Sequence, residues 1–233
     1  MKVFVSCVSQ KHGHIKSNIS QVKENTLENT FTQWINLTQP GQKPSRDVYK
    51  GTQWELIKEL DSLVSTKVVS GGYGIIDLTT HIVPYSITLS SAYVENMVPS
   101  FGGNQKEVNK EWFSMFGDYS KLWETDETLI FTVNPDYLNV LGLPEKDNII
   151  LLTDYKLGIL AKWLKSGVNN VAVNFTLYLV KHYPNLSGKK ELDQIYEELV
   201  KKYGKTLYQK RQKVDDEFIS NFIEEGGSLN LLR

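Results

Sequence analysis

The chain has 233 residues, a hydrophobic share of 40% and a formal net charge of −1. That length suits one large α/β domain, or one domain with a small helical addition, and excludes a disulfide-stapled mini-domain. Near-neutrality excludes a globally basic nucleic-acid binder while allowing a local basic face. The single cysteine rules out an internal disulfide and suits a reducing compartment.

Met1-Lys2 leads straight into a strand pattern instead of a signal peptide, and no apolar run approaches the ~20 residues of a membrane span. The expectation is a cytoplasmic protein that needs no membrane and no obligate protein partner. Residues 2–7 are apolar and β-branched, the pattern of a central strand. Ligands of open α/β sheets bind at the carboxyl edge of the strands. Ser6, Cys7, Ser9 and Lys11, at the end of this strand and in its loop, are therefore candidates to hold a phosphate or a polar base edge. His12 and His14 lack a cysteine or carboxylate cluster at ligand spacing, so neither metal nor cofactor is expected.

Residues 21–37 place Val22, Leu27, Phe31, Trp34 and Ile35 at helical spacing, as core more than as a stacking platform. A proline-containing loop follows. Arg46, Asp47, Tyr49 and Lys50 then cluster before a helix start, a position suited to an anion. Thr52 with Glu55 reads as a capping box opening a helix over 53–63.

Residues 67–70 read as a short buried strand that stops at Gly71-Gly72, with Gly74 close behind. Three glycines in four positions permit positive φ and close approach of a ligand. Tyr73 offers a ring among them, and Ile75-Ile76 delivers Asp77. Ser70, Gly71, Gly72 and Tyr73 are candidate substrate contacts. The alternative is a tight turn with no chemistry.

Residues 105–116 suggest an amphipathic helix, and 128–133 a strand ending at Asn134-Pro-Asp-Tyr137. Pro135 and Asp136 suit a first helical turn. Asp136 is either a cap or a water-positioning carboxylate, with Asn134 as its polar partner. Residues 148–153 form another buried strand, with Asp154 at its end and a helix over 157–165. Residues 168–180 are apolar and β-rich, and read as strand. A helix over 190–203 follows, then a basic stretch in which Lys201, Lys202, Lys210 and Arg211 either contact phosphates or form a solvated face.

Alternating strands and helices give a three-layer α/β domain with a mainly parallel central sheet and helices on both faces. The sheet is expected to include 2–7, 67–70, 128–133 and 149–153. The domain spans 1–187, with a C-terminal helical extension over 188–233 packed on it.

Four stretches occur in a set order: Val5-Ser-Cys-Val-Ser-Gln-Lys11, Arg46-Asp-Val-Tyr49, Val69-Ser-Gly-Gly-Tyr-Gly-Ile-Ile-Asp77 and Ile82-Val-Pro-Tyr85. The series resembles a bacterial and phage domain family. It is similar to the core of the peroxide-stress DNA-binding proteins. It is also similar to the glycosylase-like domain of archaeosine tRNA-guanine transglycosylases, which resembles the uracil-DNA glycosylase fold. A phage-defence DNA glycosylase acting on glucosylated hydroxymethylcytosine stands near the same group. The resemblance covers residues 3–90. The chain departs from it at Gly71, where alanine is usual, at Gly72, and in a long insert between Lys11 and Arg46. Those departures bear on the ligand more than on the fold.

The resemblance implies a uracil-DNA-glycosylase-like fold. It implies an enzyme that excises a modified base from duplex DNA and leaves an abasic site, with antiviral defence as a setting. The alternatives are a non-catalytic nucleic-acid-binding protein, a tRNA base-exchange enzyme and a nucleoside hydrolase. An N-glycosidic bond breaks through an oxocarbenium-like cation, so the site needs a carboxylate and a place for an extruded base. Asp77 and Asp136 are the first candidates, with Asp47 and Asp154 behind them. Tyr49, Tyr73 and Tyr85 are the candidate stacking surfaces. The G-x-x-x-x-G-K-[ST] and G-x-S-x-G motifs are absent.

Overall fold

A computed structural model describes residues 1–22, 24–39, 41–90, 94–152 and 168–199. In chain order the strands are β1 (Lys2–Ser6), β2 (Ser17–Asn18), β3 (Lys43–Pro44), β4 (Ser65–Ser70), β5 (Gly74–Asp77), β6 (His81–Ile82), β7 (Tyr85–Ser86), β8 (Leu129–Thr132) and β9 (Ile149–Leu151). The helices are α1 (Leu27–Thr38), α2 (Ser45–Val48), α3 (Thr52–Leu63), α4 (Gln105–Ser114), α5 (Pro135–Leu138), α6 (Val168–His182) and α7 (Lys189–Leu199).

The central sheet has the order β5-β4-β1-β8-β9. The pairs β4–β1, β1–β8 and β8–β9 are parallel, and only β5 runs antiparallel. All four expected strand segments thus share one mixed α/β sheet. Each side chain of β8 is buried, as expected for a strand covered on both faces. Phe4 of β1 stacks on Phe131 of β8 at 4.5 Å, and Trp123 meets both rings edge-on.

The order fixes where a ligand can enter. From β1 the chain moves to one side through β4 and β5, then crosses to the other side for β8 and β9. The connections part at the carboxyl ends of β1 and β8, and such a switch point leaves a crevice in an open parallel sheet.

Several boundaries differ from the periodicity. The helix expected from residue 21 begins at Leu27, because the Thr26 hydroxyl accepts the Asn29 amide and caps it there. Residues 19–21 form a separate 3-10 turn capped by Asn18. The capping box expected at Thr52 does not form. Gly51 is the N-cap, at φ 109, and its carbonyl accepts the Trp54 and Glu55 amides. The expected amphipathic helix near 105–116 is present as α4.

The larger correction concerns 168–180, which forms the helix α6, not a strand. Every side chain from Ala172 to Val180 is buried. A helix buried all round shows no amphipathic period, so its apolar run mimics a core strand. It packs along α3, where Lys181 pairs with Glu59 at 2.8 Å. Leu192 and Ile195 of α7 belong to the same hydrophobic cluster as the sheet, and the Thr128 hydroxyl donates to the Leu186 carbonyl. No described helix is long and apolar enough to cross a membrane.

Candidate functional site

The ends of β1, β4 and β8 meet through side chains. The Ser6 hydroxyl accepts the Asn134 amide at 2.8 Å, tying the tip of β1 to the turn after β8. The Cys7 amide continues the β1–β4 ladder to the Val69 carbonyl, and Cys7 Sγ donates to the Tyr137 hydroxyl at 3.8 Å. The Thr88 side chain and the Leu89 backbone act on that hydroxyl electrostatically.

Beside them lies a chain of hydroxyls. Tyr49 and Tyr85 share a hydrogen bond of 2.6 Å, Ser70 and Tyr85 another of 2.6 Å, and the Ser70 hydroxyl accepts the Gly72 amide. Lys11 places its ammonium 4.4 Å from the centre of the Tyr85 ring and 5.5 Å from that of Tyr49. It donates to the Val8 and Ser9 carbonyls at 3.3 Å.

The electrostatics follow from burial. Desolvation holds the hydroxyls of Tyr49, Tyr85 and Tyr137 well above the usual tyrosine range, with the neighbouring Cys7 adding to each shift. Desolvation also pulls the Lys11 ammonium below the usual lysine value. A buried cation loses hydration, which favours its neutral form. Among the described residues no three His, Cys, Asp or Glu side chains are grouped to hold a metal ion.

The glycine loop serves packing. Trp34 Nε1 donates to the Gly72 carbonyl and Trp112 Nε1 to the Gly71 carbonyl, both at 2.8 Å. A Cβ at Gly72 would lie 2.9 Å from Ile87, Trp34 and Tyr85, and one at Gly71 would lie 3.2 Å from the Tyr137 hydroxyl. The space expected for a ligand is filled by the protein's own rings. Tyr73 differs from its expected role in the same way. Its hydroxyl donates to the Thr38 carbonyl and accepts the Val83 amide, and its ring packs edge-on against Tyr85. It also lines a groove of about 540 Å³ with Phe31, Ile76 and Phe116.

Tyr49 and Tyr85 are fully buried, so neither offers a face to an extruded base. Their rings are taken by Trp54, Trp34 and each other. The stacking role expected of them is replaced by hydroxyl–hydroxyl hydrogen bonding and ring packing.

The two first-choice carboxylates separate. Asp136 and Asn134 stand in the turn after β8, at the carboxyl edge of the sheet. The Asn134 side chain accepts the Asp136 amide at 2.9 Å and caps the short helix α5. The Asp136 carboxylate is half-buried and makes no ion pair with a described cation. Asp77 does not reach the crevice. It pairs in register with Lys67, three residues below the tip of β4, or about 10 Å along the strand. Its exposed carboxylate is held by Lys67 at 2.5 Å. An antiparallel return from the glycine loop carries Asp77 away from the carboxyl edge.

Arg46 and Asp47 are exposed on α2, and Arg46 acts electrostatically on Asp61 with Lys67 and Asp77. Ser9 is exposed in the loop after β1. Asp154, Lys201, Lys202, Lys210 and Arg211 lie outside the described residues. The structure adds two site residues to the expected set, Tyr137 and Thr88. Tyr137 had a signal, standing one position after Asp136 in the same turn. Thr88 had none, because only tertiary contact brings it there.

A scan against models of known protein families matched none of them, and a search of curated proteins returned no match. The family resemblance therefore rests on the four motifs alone.

Proposed function

We propose that this chain is a DNA base N-glycosylase that excises a modified base from duplex DNA and leaves an abasic site. On this reading the parallel sheet is the core of a three-layer, uracil-DNA-glycosylase-like domain. The observation that carries the reading is the turn after β8. There a half-buried carboxylate with no ion-pair partner among the described residues, Asp136, stands at the switch point beside Asn134 and the Cys7–Tyr137 contact. A carboxylate without a fixed cation is free to stabilise a sugar cation or orient water. The sheet edge supplies the crevice into which a flipped nucleotide must fit.

The substrate proposed is cytosine carrying a bulky modification such as glucosylated hydroxymethyl, with phage defence as the setting. Duplexes carrying glucosylated hydroxymethylcytosine, hydroxymethylcytosine or cytosine are incubated with the protein, and released base and abasic sites are measured. Release from the glucosylated duplex is expected. Binding to every duplex with release from none would overturn the reading.

That outcome would favour a non-catalytic nucleic-acid-binding module. One feature supports this second reading: the tyrosine hydroxyls satisfy one another, and their rings are buried, leaving no open stacking platform at Tyr49 and Tyr85.

A further inference from the structure

We propose that Lys11 is a nucleophile that forms an imine with the abasic sugar, giving this site a strand-cleaving lyase step after base release. The proposal rests on the glycosylase reading for its physiological substrate.

Position comes first. Lys11 lies in the loop leaving β1, and its backbone forms an antiparallel bridge with Tyr49. The neighbouring bonds, Lys50 amide to Gln10 carbonyl and His12 amide to Val48 carbonyl, pin the loop on both sides. The amine is thus held beside the sheet's carboxyl edge, where Ser70, Cys7 and the β8 turn converge.

The surroundings of the amine come second. Lys2, Lys58, Lys67, Lys110 and Lys181 each hold a carboxylate within ion-pair distance. Lys11 has none. Its described partners are two neutral carbonyls at the long limit of hydrogen bonding and the faces of two tyrosines. An ion pair keeps a lysine protonated and occupies its lone pair. Burial favours the free amine over the opposing effect of Cys7, which is how lysine becomes a nucleophile. The residue is half-buried.

The step balances with water alone. The neutral amine adds to the C1′ aldehyde of the ring-opened abasic sugar, and the carbinolamine takes up a proton from solvent and loses water to give a protonated imine. The C2′ proton leaves to water, the C3′–O bond breaks, and the 3′ phosphate departs with its electron pair. Hydrolysis of the unsaturated imine restores the lysine and releases an unsaturated aldehyde. No oxidant or metal takes part.

A purely structural Lys11 would stitch two loop carbonyls and cover the Tyr85 ring. Lys11→Arg separates the roles, because arginine keeps the charge, donates to carbonyls and stacks on aromatics but forms no such imine. The probe is a duplex with one abasic site made by removing uracil, so base release is bypassed. With sodium cyanoborohydride, the wild-type protein is expected to give a covalent protein–DNA adduct whose modified peptide contains Lys11. Without reductant it should nick the strand 3′ to the site. Lys11→Arg and Lys11→Met, each checked for folding by thermal melting, should lose adduct and nicking by ~100-fold or more. No adduct with wild type, or an adduct that persists in Lys11→Arg, overturns the proposal. The two readings fail separately. Base release without an adduct overturns the Lys11 role alone. An adduct at Lys11 without base release from any duplex upholds the lyase step and overturns the glycosylase.

Discussion

Asp77 and Asp136 have matching local settings in the chain, since each follows a buried strand and a turn-forming segment. The fold gives them opposite surroundings. Asp77 ends an antiparallel edge strand, exposed and clamped by Lys67. Asp136 begins the turn after an interior parallel strand, half-buried, with its amide capped and its carboxylate unpaired by any described cation. A carboxylate is useful at a switch point when its charge is uncommitted, and strand direction decides which of the two that is.

The sharpest way to break this comparison is Asp136→Asn. It should lower base release by ~10³-fold with duplex affinity unchanged, because a carboxylate acting on the sugar cation works in the transition state. Single-turnover release and fluorescence anisotropy measure the two quantities. Full activity in this variant would move the chemistry away from the β8 turn.

The next largest effect tests whether the glycine loop serves packing. Gly72→Ala forces a methyl to 2.9 Å from Ile87, Trp34 and Tyr85, and overpacking of this kind costs ~1–3 kcal/mol. A fall in melting temperature is expected. A variant as stable as wild type would show that the loop has room for a ligand after all.

Tyr85→Phe removes the hydroxyl that both Tyr49 and Ser70 use. Leaving buried hydroxyls short of partners should cost ~1–2 kcal/mol in urea unfolding. No loss would mean that Tyr49 and Ser70 re-pair with each other.

The same hydroxyls predict an alkaline limit. Their folded pKa values are raised well above 10.0 by burial. A raised folded pKa contributes stability that is present below the unfolded value and is lost as pH rises past it. Stability should therefore decline above pH 10.0, and these tyrosines should ionise only as the protein unfolds. Ultraviolet difference absorbance followed alongside circular dichroism checks this. Ionisation well before unfolding would show that water reaches the cluster.

The smallest effect belongs to Asp77→Asn. Its ion pair is 25% and 55% exposed at the two side chains, so the loss should be at most ~1 kcal/mol. Base release should be unchanged. A large drop in release would reverse the comparison and put the chemistry at the β5 edge.

The sequence by itself determined the sheet. β1 and β8 are short apolar runs bounded by polar loops, and burial on both faces makes such runs readable, while β4 shows itself through Val68-Val69 and β9 through Ile149-Ile150. It also placed Ser6, Cys7, Lys11, Ser70 and Asn134 at strand ends, because strand ends are local features. The tertiary structure alone decided three things. It made 168–182 a helix, since burial of every side chain from Ala172 to Val180 erases the period that distinguishes helix from strand. It turned Tyr49 and Tyr85 from expected platforms into a buried hydroxyl chain, since residues 36 apart meet only when the loops pack. And it separated Asp77 from Asp136, because the direction of β5 depends on hydrogen bonding across the glycine turn to β4, a pairing that neither carboxylate's own neighbours encode.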